Sequence, residues 1–328
     1  MLFLIILLLF IFCIGAVIGS FLNVVILRAF SGESIVMPPS KCPKCQNKLK
    51  WWHNIPILSY ILLRGKCYFC KEKISIQYPI VEFITGIVFV LVFLKFGMTA
   101  ETIFGFIVAS LLIVISVTDI KEKVVFDAHT YSLVGVGLVY AVYLTIIQII
   151  NINMSSTPFN ITTEWVLGNP LTTAIGGVLA GVIIMELAAR TGYLLAGSRA
   201  FGEGDTYIAA GLGAVFGWKN LLIILVMSVV IQLIFTLPLF IKKLIIRKDW
   251  NILIPLILFF AYAVGYFFLQ KQTIFDNGYV MFVSIAVMFI LGIWTCINII
   301  RGLKNPDTLT YLPFGPALAI AGLIVLLI

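Results

Sequence analysis

The sequence predicts an all-α membrane protein whose chain crosses the bilayer as about eight to ten helices. Hydrophobic residues make up 62% of its 328 residues and charged residues only 11%, and the mean hydropathy is +1.14. Soluble domains carry about 25% charged residues, so the composition excludes that class. A backbone inside the hydrocarbon core must satisfy its own hydrogen bonds, which apolar stretches of about 20 residues do as helices.

Ten apolar stretches follow one another along the chain as candidate spans. The first lacks a basic start and a small-residue cleavage site, so we expect a retained span and not a secretory signal. The sixth is short and rich in glycine, so we expect it to tilt or to continue into the seventh. The stretches are 3–27, 79–97, 102–118, 129–149, 168–188, 206–217, 220–241, 251–269, 279–300 and 311–328.

The distribution of basic residues predicts the orientation. If segment 28–78 is cytoplasmic, all 22 lysines and arginines fall in cytoplasmic loops except Lys95, Lys219 and Lys271. Such a bias is typical of cytoplasmic loops. We therefore expect the N-terminus outside, and segment 28–78 at the cytoplasmic face. The bias also accounts for the net charge of +8. We therefore expect the lipid bilayer as a partner and no nucleic acid.

Segment 28–78 contains two C-x-x-C pairs separated by 21 residues, which is typical of a tetrahedral four-thiolate zinc site. Four sulfurs leave no open position, so the role of the metal is expected to be structural. The alternative is two disulfides, which need an oxidising compartment. The predicted cytoplasmic location favours a small zinc-binding domain. Its ligands are expected to be Cys42, Cys45, Cys67 and Cys70.

Two aspartates lie where an apolar stretch meets a polar segment, both at the predicted cytoplasmic face. Asp119 ends the third span, and Asp205 closes a G-x-G-D sequence with Gly202 and Gly204. Carboxylates beside lipid are costly, which favours a functional role. The two glycines are expected to shape the site by letting backbone approach a bound chain. The alternative is structural: Asp119 pairs with Lys123, and Asp205 caps a helix.

Two carboxylates within hydrogen-bond distance hold one proton between them over a broad pH range. The ionised one can take a proton from water while the protonated one polarises a peptide carbonyl. Asp119 and Asp205 are therefore predicted to be the catalytic pair of an aspartyl protease. Two other functions fit the same residues: a transporter in which the aspartates carry protons or cations, and a non-enzymatic assembly factor. Neither paired repeats nor a midplane position of the aspartates supports the transporter.

Short motifs follow one another in order over roughly the first 220 residues. They are Gly19-Ser20-Phe21-Leu22-Asn23-Val24-Val25, Cys42 with Cys45, Asn54-Ile55-Pro56-Ile57-Leu58-Ser59-Tyr60, Arg64-Gly65-Lys66-Cys67 with Cys70, Tyr78-Pro79-Ile80-Val81-Glu82, Thr118-Asp119-Ile120 and Gly202-Glu203-Gly204-Asp205. This series resembles the type IV prepilin peptidases, which belong to the wider group of G-x-G-D membrane aspartyl proteases.

The resemblance implies a multi-pass protein of the bacterial plasma membrane that cleaves type IV prepilins, or type II secretion pseudopilins, after a glycine ending the basic leader. Asp119 and Asp205 match the catalytic aspartates, and Asp127 matches a further acidic position. Members with the four cysteines usually also methylate the new N-terminal amine, with S-adenosylmethionine as the methyl donor. Glu82 matches a position linked to the cytoplasmic domain.

The expected domain organisation has four parts, and the oligomeric state stays open. Residues 1–27 form the first span and 28–78 the zinc-binding domain, to which methyl transfer is assigned by resemblance. Residues 79–220 form the peptidase core with both aspartates. Residues 221–328 add C-terminal spans of unknown role.

Overall fold

The computed structural model describes residues 2–37, 40–154, 168–196, 202–269, 278–303 and 313–328. Ten α-helices lie in these ranges, and a short 3-10 helix, Trp51–Asn54, precedes the second of them. They are α1 (Leu2–Ser31), α2 (Leu58–Leu62), α3 (Gln77–Phe96), α4 (Ala100–Glu122), α5 (Asp127–Met154), α6 (Pro170–Ala196), α7 (Glu203–Arg247), α8 (Trp250–Leu269), α9 (Gly278–Leu303) and α10 (Gly315–Leu327).

The prediction of an all-α membrane protein is confirmed. Among the described residues, α1, α3, α4, α5, α6 and α7 are long and apolar enough to cross a membrane. Shorter apolar helices lie within α8 and α9 and in α10. The described residues form no strand beyond two isolated bridges in the cysteine segment.

The sixth and seventh apolar stretches are joined in α7, one of the two outcomes expected from the sequence. A straight helix of 45 residues would be about 68 Å long, more than twice the hydrocarbon thickness of about 30 Å. The helix is interrupted at Gly217, which has φ 74° and ψ 166°. A positive φ is accessible to glycine without steric cost, so the interruption occurs at this residue.

The chain divides into two compact units. The core unit comprises Met1–Glu186, Gly202–Val229 and Pro313–Ile328, and the second unit comprises Leu187–Phe201 and Val230–Leu312. The expected peptidase core ended at 220, whereas α10 also packs within the core unit. Small residues allow this packing, since a Cβ added to Gly322 would lie 2.6 Å from Leu212 Cδ2.

Within the second unit, α8 and α9 pack against each other. The buried side chains Leu244, Ile252, Leu253 and Leu256 form its apolar cluster. The Thr295 hydroxyl of α9 donates a hydrogen bond to the Pro255 carbonyl of α8.

Close backbone approach joins α6 to the first half of α7. A Cβ added to Gly181 would lie 2.7 Å from the carbonyl oxygen of Ala209, and Gly177 faces Gly213 backbone to backbone. Glycine lets two membrane helices approach closely, and this close approach adds van der Waals contacts between the helices. This packing fixes the N-terminal end of α7, where the G-x-G-D sequence lies.

Candidate active site and metal centre

Asp119 lies in the last turn of α4 and is 4% exposed. Its Oδ2 accepts a hydrogen bond of 3.0 Å from the backbone amide of Gly315, the first residue of α10. Pro316 follows in the first turn, where a proline costs no helical hydrogen bond. The N-terminus of α10 therefore points a backbone donor and a positive dipole end at the Asp119 carboxylate.

Asp205 lies in the first turn of α7 and is 6% exposed. The Gly202 amide donates a hydrogen bond of 3.1 Å to its Oδ2, so the chain before the helix folds back onto the side chain. Gly204 faces the connection between α4 and α5, and a Cβ there would lie 2.6 Å from Val125 Cβ. Gly204 thus has a steric reason to be glycine, whereas Gly202 contributes its backbone amide.

The two aspartates lie at the same end of the core unit, where α4 ends and α7 and α10 begin. A Cβ added to Gly315 would lie 3.2 Å from Asp119 Cγ and 3.1 Å from the Cδ1 of Ile208, one turn after Asp205. The structure therefore places both residues that were predicted from the sequence to form a pair at one end of the core unit.

Sequence reasoning did not identify Gly315 or Thr206 at this end of the core. Thr206 follows Asp205 and is 8% exposed, and its hydroxyl has no hydrogen-bond partner within the described part of the chain. A signal for Gly315 existed in the sequence Pro313-Phe314-Gly315-Pro316, whose second proline is typical of the first turn of a helix. Such a pattern identifies the helix start but not the carboxylate that it contacts.

The cysteine segment consists of two hooks with the same backbone geometry. In the first, the Cys42 amide donates to Asn47 O and the Gln46 amide donates to Cys42 O. In the second, the Cys67 amide donates to Glu72 O and the Lys71 amide to Cys67 O. The residue after each pair, Gln46 or Lys71, has a positive φ. An antiparallel bridge between two lysines closes each hook: Lys41 with Lys48 in the first and Lys66 with Lys73 in the second.

The four predicted ligand residues form one cluster. Their Sγ atoms all lie within 4.8 Å of one another, and those of Cys42 and Cys70 are 3.9 Å apart. All four are free thiols, so the disulfide alternative is not realised. Hydrogen bonds from the backbone amide of Cys70 and, more weakly, from that of Phe69 lower the pKa of the Cys67 thiol to about 7. The cluster is able to bind a metal ion.

Buried polar contacts hold the cysteine segment against the membrane helices. Glu82 of α3 is 7% exposed, and its Oε2 accepts a hydrogen bond of 2.7 Å from the Ile57 amide. Ile57 has φ 62° and ψ −52°, and the Leu58 amide bonds to Pro56 O around it, which forms a rare and strained γ-turn. Asn23 of α1 donates to Tyr78 O nearby.

Replacing Glu82 with alanine is expected to loosen this attachment. The loss removes the acceptor of the half-buried Ile57 amide at a cost of about 1 kcal/mol, and with it one contact that opposes the strain of the γ-turn. Trypsin cleavage at Arg64 in the full-length protein should accelerate roughly tenfold. The control is Glu33→Ala, an exposed acid of the same segment, which should leave the rate unchanged. Equal cleavage rates in the two variants would contradict the anchoring role.

Comparisons with known proteins agree with this architecture. The model of the bacterial peptidase A24 N-terminal domain matches residues 13–96, and the model of the type IV leader peptidase family matches residues 106–237. The first match contains both cysteine hooks, and the second contains both aspartates. No solved structure matches the chain.

Relatives named prepilin leader peptidase/N-methyltransferase are similar over about two thirds of the chain. The protein of Neisseria gonorrhoeae is 33% identical over an alignment of 245 positions that covers 67% of this chain and 78% of that protein. The protein of Klebsiella pneumoniae is 32% identical, and the match covers 65% of this chain and 86% of that protein. The protein of Myxococcus xanthus is 31% identical, and the match covers 67% of this chain and 59% of that protein. The chain therefore belongs to the type IV leader peptidase family.

Proposed function

We propose that this chain is a membrane aspartyl endopeptidase that removes the basic leader from type IV prepilins or from type II secretion pseudopilins. Cleavage follows the glycine that ends the leader, at the cytoplasmic face of the bacterial plasma membrane. The observation that carries the proposal is the position of Asp119 and Asp205. They come from helices far apart in sequence and are both buried at one end of the core unit, where the first residue of α10 lies against Asp119 and Ile208.

The proposed mechanism uses the two carboxyl groups with one proton shared between them. The ionised group takes a proton from water, and the water oxygen attacks the carbonyl carbon of the scissile bond while the protonated group donates to the carbonyl oxygen. The carbon–nitrogen bond then breaks as the proton taken from water passes to the leaving amine. One hydroxyl of the intermediate returns its proton to the carboxylate that had donated it, which restores the shared proton. The amides of Gly315 and Gly202 each hold an Oδ2 atom, which leaves the Oδ1 atoms of Asp119 and Asp205 for water and substrate.

The proposal includes N-methylation of the newly exposed N-terminal residue. S-adenosylmethionine would supply the methyl group, and the new amine would lose a proton as the carbon–nitrogen bond forms. Support comes from the four cysteines and from the match of residues 13–96 to the N-terminal domain model.

We also propose that the cysteine cluster holds zinc in a structural role. A tetrahedral site with Zn–S bonds of about 2.3 Å places the sulfurs about 3.8 Å apart. The Cys42–Cys70 distance of 3.9 Å fits that value. The metal would join the two hooks, whose own apolar core is small.

The test of the proposed function is a reaction of the purified full-length protein with a prepilin in lipid discs. Mass spectrometry should find the product shortened at the glycine, with one added methyl group when S-adenosylmethionine is present. A prepilin that stays intact would refute the peptidase, and a cleaved product without the methyl group would refute the methyltransferase alone.

Removing two zinc ligands from opposite hooks is expected to remove the metal. The double variant Cys42→Ser, Cys67→Ser leaves two thiolates, too few for a stable site, so bound zinc should fall from about one per chain to nearly none. Metal analysis of the purified protein measures this. The matched control is Cys13→Ser, an exposed free cysteine of α1, which should keep its zinc. Full zinc in the double variant would contradict the four-sulfur site.

A further inference from the structure

The short helix α2 carries an apolar face that no part of the described chain covers. Leu58, Ile61 and Leu62 are 58%, 62% and 79% exposed. Their spacing of three and four residues places them on one side of the helix. Trp51, in the preceding 3-10 helix, is 75% exposed. This docking face, formed by these four side chains, lies between the two cysteine hooks and outside the membrane-length helices.

A hydrogen bond fixes the depth of the docking face relative to the membrane. Ile57 immediately precedes α2, and its amide is bound to Glu82 Oε2. Glu82 is the sixth residue of α3, about 7.5 Å along the axis from the start of that helix. Since α3 is long and apolar enough to cross the bilayer, the start of α2 lies beside its second turn, close to the end of that span at the membrane boundary.

The charge of the surrounding segment is strongly positive. Residues 28–78 contain nine lysines and arginines against two acids, Glu33 and Glu72, so they carry a net charge of +7 within a chain of +8. Lys50 Nζ lies 4.9 Å above the ring of Trp52, and Arg64 lies two residues after the end of α2. Tryptophan and lysine together are typical of the membrane–water interface, and basic residues are attracted to an acidic leaflet.

We propose that the docking face binds acidic phospholipids of the same bilayer that α1 and α3 cross. Its apolar side chains enter the boundary between headgroups and acyl chains, and the basic residues around it contact the phosphates, as in interfacial amphipathic helices. The metal-binding segment is thereby held flat on the membrane surface. This inference rests on exposure, depth and charge, and holds whether or not the chain is a peptidase.

Hydrogen exchange of the full-length protein tests the proposal. One copy of the chain is placed in discs of phosphatidylcholine, with or without phosphatidylglycerol. Amides of residues 58–66 should exchange about tenfold more slowly with phosphatidylglycerol, equivalent to roughly 1.4 kcal/mol. The triple variant Leu58→Ser, Ile61→Ser, Leu62→Ser should lose this difference. All three side chains are exposed, so the core is unaffected.

Val36→Ser is the matched control because Val36 is an equally exposed apolar residue, 77%, of the same segment outside the docking face. It should keep the tenfold difference. Exchange that is the same in both lipids, whether fast or slow, would overturn the proposal. Slow exchange that requires two copies in one disc would assign the face to a second copy and would also overturn it.

Discussion

Asp119→Asn and Asp205→Asn are each expected to lower the kcat for prepilin cleavage at least about a thousandfold. An asparagine has the shape of an aspartate but neither accepts the proton of the attacking water nor donates one to the carbonyl. Its side-chain oxygen can still accept the amide of Gly315 or Gly202, so the helices keep their positions. Initial rates with a purified prepilin at saturating concentration measure the effect.

Glu122→Gln provides the matched control for this experiment. Glu122 lies three residues after Asp119 at the same end of α4, and its side chain is exposed. Loss of that charge should leave cleavage within about twofold, which separates the chemistry from a general effect of negative charge at the membrane edge. If both asparagine variants cleave normally, the carboxyl pair is not catalytic, and a role in moving protons or cations becomes the better account.

Sequence reasoning reached the functional side chains because their chemistry requires particular residue types at local spacings. Four cysteines in two C-x-x-C pairs predict the sulfur cluster, and membrane-edge acids predict the pair of Asp119 and Asp205. The backbone geometry of the hooks was not predictable in the same way. It depends on positive φ values at Gln46 and Lys71, residue types that do not demand such a conformation.

The contribution of α10 was not predicted for a different reason. Gly315 contacts Asp119 through a backbone amide across 196 residues of sequence, and every residue type except proline has such an amide. The need for glycine at position 315 becomes clear only in the structure, where any side chain at this position would displace the Asp119 carboxylate. The expected boundary at 220 followed the motifs, whereas the core unit includes the last helix because packing, not motif content, defines it.

Gly315→Ala is expected to lower kcat about a hundredfold while KM changes little. A Cβ at this position would overlap Asp119 Oδ2 and lie 3.1 Å from Ile208 Cδ1, so the carboxylate must rotate or α10 must move away. Either shift weakens the hydrogen bond that orients Asp119. Substrate binding depends on a surface much larger than this one contact, so the effect should fall on the chemical step. Initial rates over a range of prepilin concentrations separate the two constants.

Two other glycines distinguish misplacement of the acid from a general loss of packing. Gly135→Ala in α5 adds a methyl group to open space and should leave both constants unchanged. Gly322→Ala adds a methyl group to α10 itself, 2.6 Å from Leu212 Cδ2 and two helical turns after Gly315. It should therefore lower thermal stability more than it lowers kcat. If Gly315→Ala and Gly322→Ala lower kcat equally, α10 acts through packing alone. A loss confined to Gly315→Ala would make the start of the last helix a positioning element for Asp119.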